Sequence, residues 1–316
     1  MTAVIIGHLI SEASFLHFFI YSFHMPLFLA ISGFLIEEGN FLKTKLSLLI
    51  KKYTKRIIIP WFFASIFFFL FNNYKLIITS NSIFEIAFLF LVSLLFFPFH
   101  NLWFIPALFL FTIFTWILKK KNISDIIILI SSLFFVRLIF ILLSLSSNPH
   151  ISFIYLIIRE YRPQFYFFFF LGYYIRNREI HYRNYSLLRF FVIFLFFLRG
   201  TSYFPAIKIA FLYDIPVFYL LNVFLILFSL NYLIKFDFKK FSSIKWSGSN
   251  SLPIYLYHPI SYTIFFAYNS PLFIPNTILL FFFNLLIILV EIIIFYLLNR
   301  KSNKSINIIF FGRWKS

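Results

Sequence analysis

The chain has 316 residues, of which 62% are apolar and 25% aromatic, and only 12% are charged. An ordinary soluble domain is about 45–50% apolar and about 25% charged, so a mean hydropathy of +0.92 would leave apolar patches far beyond the ~400 Å² that soluble surfaces carry. Lipid is the expected solvent, which excludes soluble enzymes, disordered scaffolds and disulfide-stapled secreted domains. With Cys 0, thiolate metal sites and a cysteinyl acyl-enzyme are excluded too. The formal net charge of +18 reads as topological, because Lys and Arg hold loops on the cytoplasmic side of a membrane. Nucleic acid is not an expected partner, since the aromatics are spread through apolar runs and form no stacking surface.

A membrane crossing needs about 20 apolar residues. Apolar runs occur, in chain order, at Met1–Ile10, Ala13–Ile36, Ile57–Phe71, Ile83–Phe99, Leu102–Leu118, Ile123–Leu145, Phe165–Ile175, Leu187–Phe204, Ile215–Ile234, Leu252–Ala267 and Thr277–Leu298. Basic clusters punctuate them at Lys43–Arg56, Lys119–Lys121, Arg176–Arg189, Lys235–Lys245 and Arg300–Lys315. If every cluster is cytoplasmic, an even number of spans separates each neighbouring pair. The interval from Arg56 to Lys119 holds three runs. Its least span-like one, Ile83–Phe99, contains Glu85 and ends in Pro98-Phe99-His100, and reads as an interfacial or re-entrant segment on the outer side. The expected fold is all-α: one polytopic integral membrane helix bundle over residues 1–316, with about ten transmembrane segments, the first truncated, and both termini cytoplasmic. Met1–Ile10 is too short to cross and lacks the basic start and cleavage site of a signal peptide, so either translation starts upstream or the chain is a shortened form. Leu42–Arg56 reads as an amphipathic cytoplasmic helix whose basic face meets anionic lipid.

Ionisable groups inside apolar runs are costly and mark candidate sites. They are His8, Glu12, His17, His24, Arg137, Arg162, Asp214, His258 and Glu291. His24 lies in Tyr21-Ser22-Phe23-His24-Met25-Pro26-Leu27-Phe28, where Pro26 removes a backbone donor and kinks the helix, freeing a carbonyl nearby. The Ser32-Gly33 pair beyond it allows another helix to come close. His24 is either a buried imidazole tied between helices or, with His8 folded back beside it and Glu12 near the turn, part of an acid/base group; Glu12 is otherwise a solvated loop carboxylate. His258 repeats the His–proline theme in Ser251-Leu-Pro-Ile-Tyr-Leu-Tyr-His258-Pro259, with a structural kink as the alternative. Arg137 either grips a phosphate or carboxylate with its bidentate fork or pairs with an acid such as Glu291. Asn101 and Trp103 open the run at Leu102, and Trp103 by itself reads as an interfacial belt residue. No metal-binding motif and no Gly-rich phosphate loop occurs.

Taken together, Ile5-Ile6-Gly7-His8, Phe23-His24-Met25-Pro26-Leu27-Phe28, Ile31-Ser-Gly-Phe34, Arg56-Ile-Ile-Ile-Pro60, Leu102-Trp-Phe104, Phe170-Leu-Gly-Tyr-Tyr174 and Ser251–Pro259 resemble the membrane-bound acyltransferase-3 family in type and order. The nearest likeness is to its fucose-4-O-acetylase-like branch, and it extends over nearly the whole chain. The resemblance implies a ten-helix enzyme of the bacterial plasma membrane, with acetyl-CoA as acyl donor, no metal, and a glycan or lipid-linked saccharide as acceptor. The family's hallmark Arg, ten or so residues before the first His, would precede Met1. On this reading His8 and His24, with Glu12, are catalytic. Arg137, Asn101, Trp103, Arg162 and His258 bind substrate, and Arg137, Arg162, Asn101 or Trp103 answers the developing oxyanion. Lys51, Lys52, Lys55 and Arg56 take the CoA phosphates. The rival readings are a transporter or flippase of a glycan precursor, in which inverted repeats are expected and none is visible, and a catalytically degenerate partner in polysaccharide assembly.

Overall fold

A backbone in lipid must satisfy its own hydrogen bonds, and a helix does so within one segment. In a computed structural model, which describes residues 15–79, 82–96, 102–145, 148–180, 185–201, 210–235, 250–257 and 304–313 with scattered positions between 286 and 300, the described parts of the apolar runs are helices. Their outward faces are hydrocarbon: Ile83 is 86% exposed, Phe84 80% and Phe197 76%, a distribution that only a lipid surround tolerates.

In chain order the helices are α1 (Phe15–Tyr21), α2 (His24–Phe34), α3 (Glu38–Lys43), α4 (Leu46–Tyr53), a π turn (Thr54–Ile58), α5 (Ile59–Asn72), α6 (Tyr74–Thr79), α7 (Ile83–Phe96) and α8 (Phe104–Lys120). They continue with α9 (Asp125–Ser144), α10 (Pro149–Glu160), a 3-10 turn (Pro163–Phe165), α11 (Tyr166–Asn177), α12 (Tyr185–Thr201), α13 (Ala210–Lys235), α14 (Ser251–Tyr257) and α15 (Lys304–Phe311). Three stretches, Phe15–Phe34, Leu46–Asn72 and Asp214–Tyr232, are long and apolar enough to cross a membrane among the described residues. The expected amphipathic helix at Leu42–Arg56 takes another form. The chain turns at Thr44 and Lys45, and the helix that restarts at Leu46 continues through the π turn into α5. Lys51, Lys52, Lys55 and Arg56 therefore lie in the opening three turns of a helix long and apolar enough to cross a membrane. The segment expected to be interfacial is α7, whose 14 residues reach about 21 Å, short of the ~30 Å core. α10 was not legible as an element, because its apolar stretch, Ile151–Ile158, falls below the length of a span.

The chain packs as two compact units. The first takes its described residues from within Met1–Lys43, Asn122–Leu129 and Phe165–Lys245; the second from within Thr44–Lys121, Ile130–Gln164 and Trp246–Ser316. In the first, α2 and α11 run parallel and touch backbone to backbone. A β-carbon on Gly33 would collide with the Phe169 carbonyl, and one on Gly172 with the Ala30 carbonyl. Past this crossing, the Asn177 side chain donates to the Ile36 and Tyr173 carbonyls at 3.1 and 2.8 Å and accepts the Glu38 amide at 2.8 Å. One carboxamide thereby closes α2, caps α3 and ends α11. Asp125, buried at the start of α9, accepts both Nε and one terminal amine of Arg178 on a single oxygen, at 2.8 and 2.5 Å. An acid at a helix start and a cation at a helix end both suit the helix dipoles. The hydrogen bond and charge of Asp125 push Arg178 still further above its ordinary value. α12 and α13 form an antiparallel pair around Leu195, Val217 and Leu221.

In the second unit, α14 and α15 lie against α5. Pro60 offers no N–H to the Arg56 carbonyl four residues before it, and Gly312 sits so close to that carbonyl that a β-carbon could not fit. Gly312 has φ +59, so glycine is required there for its backbone as well as its size. α8 holds the other side of the long helix: Trp116 Nε1 donates to the Thr44 carbonyl at 3.1 Å, and Thr112 hydrogen-bonds the Tyr53 side chain.

Candidate functional site

Proline in the first turn of α2 explains why the helix breaks where it does. The break falls at Ser22-Phe23, just ahead of His24, because Pro26 is tolerated only near a helix start. Three carbonyls around the break each take a side-chain donor: Phe18 from Ser22 Oγ at 2.8 Å and Ile20 from the His24 ring at 2.9 Å, both beside a backbone N–H, and Ser22, whose helical donor would be Pro26, from Asn222 Nδ2 at 2.9 Å. A carbonyl can only accept, so the Ile20 bond places the imidazole proton on Nδ1 and makes Nε2 the ring's acceptor. His24 is 6% exposed, with the Tyr21 ring edge-on at 4.6 Å and His17 stacked on Tyr21 at 4.0 Å. An imidazole held in one tautomer, in a site shielded from water, is the arrangement a general base needs.

In the second unit, Trp103 is no belt residue. It is 5% exposed, and Leu102, Phe104 and Ile105 around it are as deeply buried. The Arg162 guanidinium lies 4.8 Å above its ring, and Phe104 meets Tyr255 edge to face at 5.4 Å. Two stretches far apart in sequence, Leu102–Phe104 and Ser251–Tyr257, are thus packed together, with Arg162 at the edge. Arg162 has φ +46, uncommon for a side chain of its size, and it precedes Pro163, which ordinarily demands an extended residue. Such strain costs about 1–3 kcal/mol and clusters at functional sites. On the long helix of the same unit, Lys51, Lys52 and Arg56 are exposed and Lys55 half-buried. They occupy consecutive turns, as a polyphosphate would require.

His8, Glu12, Asn101, His258 and Glu291 lie outside the described residues, and Arg137 is placed on α9 by its backbone alone. Among the described residues no group of three or more His, Cys, Asp or Glu is positioned to hold a metal ion. Asp214, one of the ionisable groups singled out in the sequence, forms an ion pair with Arg199, whose guanidinium also lies over the Phe18 and Phe218 rings at 5.1 and 5.4 Å. Arg199, inside the apolar run Leu187–Phe204, meets the same criterion as the residues singled out but was not among them. The available signal was opposite charges at the facing tips of two consecutive runs. Asn222 carries no charge, and no motif in the run Ile215–Ile234 sets it apart.

The acyltransferase-3 family, described as an acyltransferase domain, matches residues 1–298. No curated protein and no solved structure gave a match.

Proposed function

Because the chain belongs to the acyltransferase-3 family of membrane acyltransferases, we propose that it moves an acetyl group from acetyl-CoA to a sugar hydroxyl of a surface polysaccharide or its lipid-linked precursor, as a member of the fucose-4-O-acetylase-like branch in a bacterial plasma membrane. The observation that carries this reading is the Nδ1–H bond from His24 to the Ile20 carbonyl, which presents Nε2 as a base at the α1–α2 break. His24 takes the proton from the acceptor hydroxyl as its oxygen bonds to the acetyl carbon. The C–S bond breaks, and His24 returns the proton to the departing thiolate. His8 shares this task in the proposal, with Glu12 orienting it. Arg137, Asn101, Trp103, Arg162 and His258 hold the acceptor, and Arg137, Arg162, Asn101 or Trp103 answers the negative charge that develops on the carbonyl oxygen. The exposed cations Lys51, Lys52 and Arg56 and the half-buried Lys55, close together on one helix, suit the phosphates of the donor, which when bound supplies the activated acetyl thioester.

The experiment is mass spectrometry of surface glycan from deletion and complemented strains, with His24→Ala and His8→Ala variants. Acetylation lost on deletion, restored by the intact gene and not by either variant is the expected result. Acetylation retained by both variants removes the mechanism, and precursor uptake or flipping without acetyl-CoA removes the enzyme in favour of a transporter.

A further inference from the structure

We infer that Asn222 is a positioning residue for His24, acting through the Ser22 carbonyl that Pro26 leaves without a helical partner. The inference rests on the reading of His24 as the base. In an unbroken helix the Ser22 carbonyl would accept from the amide of residue 26, and proline has none. Leaving a buried carbonyl unpaired is costly, more so where water is excluded. Asn222, 0% exposed on α13, meets that need across 200 residues of sequence. Its other amide hydrogen goes to the Phe218 carbonyl of its own helix at 2.8 Å. Both partners are carbonyls, so the NH₂ group and not the oxygen must face them, and the orientation of the carboxamide follows from chemistry. The cost of that orientation is visible: Oδ1 is buried with no hydrogen-bond partner.

The other two donors at the break are local. Ser22 Oγ and the His24 ring each reach back four residues, and these bonds travel with the chain wherever the break points. Asn222, by contrast, comes from another helix. It sets the direction of the Ser22-Phe23 peptide relative to α13, and His24 begins α2 directly after it. A catalytic imidazole displaced by about 1 Å loses on the order of a hundredfold in rate, so a remote carboxamide that fixes this turn controls kcat without touching substrate.

Asn222→Ser separates this role from simple structural need. A serine hydroxyl reaches its own helix carbonyl four residues back, as Ser32 and Ser93 do here at 2.9 and 2.8 Å, so Phe218 stays satisfied and only Ser22 loses its donor. The full-length protein in membranes, assayed with acetyl-CoA and purified acceptor glycan, is expected to show kcat down by about tenfold or more with KM for acetyl-CoA unchanged. Pro26→Ala supplies the missing backbone N–H, so Asn222→Ser is expected to cost much less in a Pro26→Ala background. Wild-type kcat in a folded Asn222→Ser protein overturns the inference, as do effects that simply multiply in the double variant. If Asn222→Ser does not fold, folding of the double variant supports the route through Ser22, and failure of both overturns it. An active His24→Ala protein would refute the reading of the base itself, which the Asn222 series by itself does not touch.

Discussion

Gly33 and Gly172 each sit against the backbone of the other's helix, where the space left by the missing side chain is filled by a carbonyl, Phe169 facing Gly33 and Ala30 facing Gly172. In lipid, helices gain nothing by hiding apolar surface from one another, and close packing through small residues takes over as the source of adhesion. The crossing therefore sets how α2 lies on α11, and α2 carries His24 at its first residue.

Gly33→Ala and Gly172→Ala are each expected to destabilise the protein by about 2 kcal/mol, the range for overpacking at a tight contact. Thermal unfolding in detergent measures this. Gly39→Ala is the control: nothing lies within 4 Å of a β-carbon there, and alanine in place of glycine in a helix raises stability by up to about 1 kcal/mol.

The Asp125–Arg178 pair predicts an asymmetry. The Asp125 side chain is 6% exposed and that of Arg178 55%. Arg178→Ala strands a buried carboxylate, whereas Asp125→Asn leaves a guanidinium that water can reach. Arg178→Ala is expected to cost about 1–2 kcal/mol, a charge-assisted bond discounted for exposure, and Asp125→Asn clearly less. Equal losses in the two variants would show that the carboxylate is solvated when unpaired.

For Arg199 and Asp214 the expectation is non-additivity. Arg199→Leu leaves an acid without its cation and strips the Phe18 and Phe218 rings of theirs. Asp214→Leu leaves a mostly buried guanidinium, 15% exposed. Each single change is expected to cost about 2 kcal/mol, and Arg199→Leu with Asp214→Leu less than the sum, because replacing both partners of a buried pair removes the uncompensated charge. A double-mutant cycle on melting temperature reads this directly.

Arg162 predicts an inverted order of substitutions. Alanine keeps the strained backbone at φ +46, and glycine accepts it at no steric cost. Arg162→Gly is expected to be more stable than Arg162→Ala by about 1 kcal/mol, the reverse of the usual ranking, while both lose glycan acetylation to a similar degree. Activity retained by either variant would separate the guanidinium from the chemistry.

Much of this was legible in residue order. A proline two places after His24 announces a broken helix and an unpaired carbonyl, and the break is there. Ser32-Gly33 announces close helix contact, and the contact is there. The basic stretch before Arg56 was legible as a cation cluster but not as the opening turns of a spanning helix, because continuity through the π turn depends on Gly312 and α8 holding it. Arg162 and Trp103 were both singled out, yet nothing in their spacing indicated that one lies over the other.

Composition by itself determined the solvent, since a chain so rich in hydrocarbon can only expose it to lipid, and helices followed because lipid offers no partner for an open backbone. The break at Ser22-Phe23 is likewise determined within a few residues, by a proline that lacks a proton. Tertiary structure alone decided who answers that break: the donor to Ser22 is Asn222 and the neighbour of Gly33 is Phe169. A missing hydrogen bond is a local fact of the chain, whereas the group that replaces it comes from whichever helix packing brings within 3 Å.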